Sequence, residues 1–160
     1  MQLLRDLGPA IAPASAWQIM QGIETLSLRM ERHCANATTV AEWLERQPRV
    51  ERVDYAALPS SPWYTAAKEY APKGVGSVFS FEIAGGIEAG REFVSRLRLF
   101  SHLANIGDVR SLVIHPASTT HSQLTEQQLQ ASGVTPGLIR LSIGLEHPDD
   151  LIADLDSALS

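Results

Sequence analysis

Apolar positions recur at steps of three and four from Ala14 onward: Trp17, Met20, Ile23, Leu26, Met30, Cys34, Ala37, Val40 and Leu44. This is the period of a helix with one buried stripe. Ser15 is a candidate N-cap and Pro48 ends the run. A helix of roughly 30 residues exceeds the usual globular length, so a break or bend is expected, with Gly22 the weakest point. The residues ahead of it, 1–13, hold Gly8, Pro9 and Pro13 and no periodicity, and are expected to form a connector.

Beyond Pro48 the pattern changes to short alternations. Val50–Tyr55 alternates and predicts a strand, 58–63 is a proline- and serine-rich loop, and Tyr64–Tyr70 is a short helix closed by Pro72 and Gly74. Ser77–Ile83, branched and aromatic between glycines, is the clearest strand of the chain. Ile87–Leu97 is amphipathic. Leu99–Ile106 and Ser111–Ile114 are expected as two strands joined at Gly107-Asp108. Thr125-Glu126-Gln127-Gln128 fits a capping box for a helix that Gly133 stops, and Leu138–Ile143 is a further strand. Pro148 as first helical residue, Asp149 and Asp150 in the first turn, and Leu151, Leu155 and Leu159 on one face predict the final helix. The strands near Leu99 and Leu112 lie too close in sequence for a helical crossover, which predicts antiparallel pairing. The fold class expected is α/β (α+β), a mainly antiparallel sheet with helices packed on one face.

A chain of 160 residues with 44% hydrophobic content can bury one core, so one domain over 14–160 is expected. Its formal net charge of −5, with basic residues interspersed among acids, offers no basic stripe, and nucleic acid is excluded as a partner class. The single cysteine, Cys34, falls in the helical stripe and reads as a buried structural thiol. No apolar run approaches the roughly 20 residues of a membrane span, and no signal peptide is recognisable at the start, so a cytoplasmic, membrane-free protein is expected.

Candidate chemistry is densest between Asn105 and Glu146. Arg140 stands in an apolar strand pattern, sharing one face with Leu138 and Ser142 while Ile139, Leu141 and Ile143 share the other. A half-buried guanidinium needs an acceptor, and its planar fork suits a carboxylate in two-point contact. From the strand alone, that acceptor is either an internal Asp or Glu or a ligand. Among the histidines, His115 and His121 lack the partners of a metal site and are read as structural hydrogen bonders, so no metal site is expected. Ser118, Thr119 and Thr120 could serve a ligand or cap local backbone. Gly74-Val75-Gly76 lacks the spacing of a phosphate loop, and no G-x-S-x-G elbow occurs.

The segments NIGDVRSLVIHPASTTH and GLIRLSIGLE, with RDLGPAIAP and GIETLSLRMERHCANA near the start, resemble the C-terminal part of the Cys/Met-metabolism family of pyridoxal-phosphate enzymes. The likeness runs over nearly the whole chain, with several motifs in order. It implies the C-terminal small domain of the type I pyridoxal-phosphate transferase fold, with the long helix linking it to a larger cofactor domain. It also implies that Arg140 grips the α-carboxylate of an amino-acid substrate. Asn105 and Ile106, in the turn where the family carries serine-leucine-glycine, and Thr120 of the HPASTTH loop would lie in the same pocket. Asn105 departs from the serine usual in the lyases, and Asn-Ile-Gly-Asp looks most like the O-acetylhomoserine sulfhydrylase branch. That branch replaces the acetate of O-acetyl-L-homoserine by sulfide or a thiol. Methionine or cystathionine γ-lyases and synthases of the same family are the alternative, and a non-catalytic amino-acid-binding or association module is another. Pyridoxal phosphate needs a lysine and a phosphate cradle. Only Lys68 and Lys73 occur, in a segment unlike the family's lysine motif. The resemblance therefore implies a detached domain of a longer, homotetrameric enzyme, with no catalytic or cofactor-binding residue of its own and inactive alone.

Overall fold

A computed structural model describes residues 6, 8 and 10–160. Much of the connector expected over 1–13 thus lies outside the described residues. From Pro13 on, two helices follow one another, α1 (Pro13–Glu24) and α2 (Leu26–Leu44). Then follow β1 (Val50–Asp54), α3 (Tyr64–Tyr70), β2 (Val78–Ile83), α4 (Gly86–Arg96), β3 (Ser101–His102) and β4 (Leu112–Ile114). A 3-10 turn (Pro116–Ser118), α5 (Glu126–Ala131), β5 (Leu138–Ser142) and α6 (Pro148–Leu159) complete it. The five strands form one sheet in the order β1-β2-β5-β4-β3, antiparallel at every pairing except β3 with β4.

Alternation puts Phe79, Phe81 and Ile83 of β2, Ile139 and Leu141 of β5 and Ile143 just beyond it on one face, all 4% exposed or less. Against that face pack Ala37, Val40, Ala41 and Leu44 of α2, Phe93 and Val94 of α4, and Leu151, Leu155 and Leu159 of α6. Phe81 meets Phe93 edge to face at 5.6 Å, and Tyr55 meets Phe79 at 5.2 Å. Burial raises the Tyr55 phenol above its ordinary value, and its hydroxyl donates to the Gly76 carbonyl at 2.8 Å. Among the described residues no helix is long and apolar enough to cross a membrane.

Three expectations are corrected. The long helix breaks at Thr25 rather than Gly22, where φ is −105° and ψ is 4°. The Gly22 carbonyl at that break accepts from the Arg29 guanidinium, and Arg29 also reaches the Thr25 hydroxyl at 3.4 Å, so the freed backbone group keeps a partner. Helix α1 starts after Ala12 with Pro13 in its first turn, so Ser15 is not a cap: proline's missing N–H costs nothing there. Third, β3 runs parallel to β4, and the expected strand Leu99–Ile106 shrinks to two residues. A parallel return needs only as much chain as the strand is long, and residues 103–111 span a two-residue strand without any helix. Cys34 is half-buried, its Sγ lying where a side chain at Gly74 would have to go. The capping box at Thr125 forms as expected, Thr125 N–H donating to Gln128 Oε1 at 2.9 Å and Gln128 N–H to Thr125 Oγ1 at 3.4 Å.

Helix α1 buries none of its residues, and Trp17, Met20 and Ile23 are 62%, 59% and 62% exposed. It is amphipathic without a covered face.

Candidate functional site

The sheet face opposite the core carries Arg140. Register places Ser80 of β2 on one side of it and Ile114 of β4 on the other, so no carboxylate stands directly across. The acids on that face are already engaged: Glu82 accepts from the Thr135 hydroxyl, and Asp54 pairs with Arg52 at 3.0 Å. Among the described residues Arg140 forms no ion pair. Its Nη2 instead donates to the Asn105 carbonyl at 3.2 Å, joining β5 to the turn 103–111. One of five N–H groups is thus used within the described protein, which leaves the fork able to meet a carboxylate.

The turn lies along the end of β5 and the residues that follow it because three bonds lace them together. Gly107 N–H donates to Ser142 Oγ at 3.3 Å, Leu145 N–H to the Val109 carbonyl at 2.9 Å, and Gly144 N–H to Ser111 Oγ at 2.8 Å. Ser111, fully buried, gives its own N–H and hydroxyl to the two oxygens of Glu146, at 2.7 and 2.9 Å. From the core side, His33 Nδ1 donates to the Ile143 carbonyl at 2.6 Å, and Asn36 Nδ2 to the carbonyls of Gly144 and Glu146 at 3.0 and 2.8 Å. A carbonyl only accepts, so this His33 nitrogen carries the proton. Gly144 is obligatory at its position, since a Cβ there would stand 2.4 Å from the Val109 carbonyl oxygen.

Of the residues singled out from the sequence, the structure joins Arg140 and Asn105, with Ile106 adjacent. Ile106 is exposed, and its N–H is taken by the Asn105 side chain at 2.9 Å. Thr120 is exposed and bonds to neighbouring His121 at 2.8 Å; among the described residues no hydrogen bond links it to the other three. Thr119 caps the His115 carbonyl at 2.8 Å. His115 is buried, its Nδ1 2.8 Å from Ser118 Oγ and its Nε2 2.7 Å from the Pro136 carbonyl. Burial lowers its pKa from the ordinary 6.5, although the Pro136 carbonyl works the other way.

The sequence reading gave no role in the site to Ser111, Glu146, His33 and Asn36, and placed Ser142 on the face of Arg140 without one. A signal for His33 and Asn36 was available: both are polar residues beside the buried stripe of α2, where an unpartnered polar group would be costly. Nothing comparable marks Ser111 or Glu146, whose contact closes across 35 positions.

The described residues do not fit pyridoxal phosphate. Lys68 lies exposed on α3 with its ammonium 4.3 Å from the Tyr64 ring centre, and Lys73 is exposed in the following turn. A cleft of about 600 Å³ runs along β1 and the loop through Trp63, but neither Arg140 nor Asn105 lines it.

The family model for Cys/Met metabolism PLP-dependent enzymes matches residues 1–160. An O-acetyl-L-homoserine sulfhydrylase of Leptospira meyeri is 56% identical over 160 residues, 99% of this chain and 36% of that protein. An L-methionine gamma-lyase of Pseudomonas putida is 48% identical over 160 residues, 99% of this chain and 40% of its own length. The crystal structure of a proposed O-acetylhomoserine (thiol)-lyase from Campylobacter jejuni, described as holding N'-pyridoxyl-lysine-5'-monophosphate, superposes with a TM-score of 0.87 at 47% identity. The match covers 98% of this chain and 37% of that one. This chain spans little more than a third of the length of the relatives it matches.

Proposed function

The chain belongs to the Cys/Met metabolism family of PLP-dependent enzymes, and from that premise we propose that it is the substrate-gripping domain of an O-acetylhomoserine sulfhydrylase. The intact enzyme would convert O-acetyl-L-homoserine and sulfide, or a thiol, into homocysteine or methionine with release of acetate. Arg140 would take the α-carboxylate in two-point contact, while the turn at Asn105 and Ile106 borders the same space; Thr120 stands near it only by resemblance. The observation that carries this reading is an arginine with its face's carboxylates engaged elsewhere and its Nη2 turned to the Asn105 carbonyl.

Residues outside this chain would hold the cofactor, and the exposed apolar face of α1 suits a helix covered by such a domain. Holding a substrate in the reacting orientation is worth several kcal/mol of barrier. In the cofactor-loaded enzyme, Arg140→Ala should raise KM for O-acetyl-L-homoserine on the order of 10²- to 10³-fold, the worth of two charge-assisted bonds. Cofactor absorbance should not change. Unaltered kinetics would refute the role.

The likeness to an L-methionine gamma-lyase supports elimination as the second reading. Products formed with and without sulfide separate the two.

A further inference from the structure

The turn that borders Arg140 is held against β5 by neutral bonds at Gly107, Val109 and Gly144. One charged acceptor joins them. Both oxygens of Glu146 take hydrogens from Ser111, and the Glu146 carbonyl is itself fixed to α2 through Asn36. Ser111 Oγ passes the connection on by accepting from Gly144 N–H. Charge-assisted bonds of this length are roughly twice as strong as neutral ones. The Glu146–Ser111 pair is therefore the firmest of the ties that set where Asn105 stands relative to the guanidinium.

We propose that Glu146 is a positioning residue for the carboxylate grip: acting through Ser111, it fixes the 103–111 turn so that the Asn105 carbonyl aims the Arg140 fork. Neither Glu146 nor Ser111 touches substrate in this arrangement. The proposal rests on the reading of Arg140 given above, and its test separates the two. In the cofactor-loaded enzyme, binding of L-norleucine and of its carboxamide, L-norleucinamide, is measured by competition against substrate and by the change in cofactor absorbance. The ratio of the two affinities reports the grip on the carboxylate.

Arg140→Ala should abolish the preference for the acid; a preference that survives it overturns the earlier reading and this one together. Glu146→Ala should cut the preference roughly tenfold, about the worth of one charge-assisted bond, with kcat changed less than about threefold. Glu146→Gln keeps a neutral acceptor for the Ser111 N–H, with about half the bond strength, and should lower the preference about threefold, between the parent and Glu146→Ala. Should Glu146→Ala not fold, Ser111→Ala removes the hydroxyl with its bonds to Glu146 Oε2 and Gly144 N–H but keeps the Ser111 N–H bond to Glu146 Oε1, and should lower the preference about threefold. Full preference in Glu146→Ala or Ser111→Ala, accompanied only by a lower melting temperature, makes the pair merely structural and overturns the proposal.

Discussion

Replacing Gly144 by alanine should damage this fold out of proportion to the size of a methyl group. The backbone there is not in the left-handed region, so the penalty is purely one of space. The new Cβ would lie 2.4 Å from the Val109 carbonyl oxygen, 2.5 Å from Glu146 Oε2 and 2.6 Å from the Arg110 carbonyl carbon. Carbon and oxygen settle at about 3.3 Å or more, so backbone has to move by nearly an ångström. That movement opposes the Leu145–Val109 bond of 2.9 Å, the Gly144–Ser111 bond of 2.8 Å and the Ser111–Glu146 pair. Two or three such bonds at about 1 to 1.5 kcal/mol each, less about 0.4 to 1 kcal/mol from the stiffer unfolded chain, leave a loss of about 1 to 4 kcal/mol. At this chain length the melting temperature should fall by roughly 2 to 16 °C. Urea unfolding followed by circular dichroism measures the loss, and an unchanged m-value would place it in the folded state. Gly22→Ala, in a helix with open space around the new carbon, is the control and should be neutral or stabilising by up to about 1 kcal/mol. Stability of Gly144→Ala within about 0.5 kcal/mol of the parent would show the turn yielding freely, and the rigid lacing argued above would be wrong.

Other consequences can be measured on the chain itself. The His115 imidazole should titrate below 6.5 in an NMR pH series, because burial disfavours its charged form. An unfolded imidazole binds its proton first, so this group's contribution is intact above 6.5 and declines as pH falls from there toward the depressed value; a midpoint at or above 6.5 contradicts this. Asp154 gathers the N–H groups of Arg98, Leu99 and Phe100 at 2.9 to 3.4 Å, tying α6 to the end of α4. Asp154→Ala should cost about 1 to 2 kcal/mol in urea unfolding with Asn recovering part of it, and equal loss in both variants would argue against the bonds. Phe81→Ala removes a fully buried ring packed on Phe93 and should cost about 3 to 5 kcal/mol, so a shift below about 1 kcal/mol would mean that the core had collapsed around the gap.

Much of the fold was legible because its signals are local. The period of α2, the alternation of β2 and β5, the capping box at Thr125 and Pro148 opening α6 each need only neighbouring residues, and each formed in place. The break at Thr25 was misplaced to Gly22 because propensity singles out glycine. What holds the break is a long arginine side chain folding back on a carbonyl, which propensity does not encode. The pairing of β3 with β4 was misjudged because spacing bounds how far a loop reaches, not the direction in which a two-residue strand lies.

The sequence by itself determined which residues share a face, and therefore that Arg140 is a cation set away from the core among apolar neighbours. Local periodicity suffices for that, since adjacent side chains on a strand must point to opposite sides. Only the tertiary structure decided that Glu82 and Asp54 are engaged elsewhere, that Asn105 meets the guanidinium, and that Ser111 and Glu146 hold the turn in place. Apart from the Arg52–Asp54 pair, which closes within β1, those contacts join residues 35 or more positions apart. Which partners meet depends on register and loop path, and these are settled when the whole core packs.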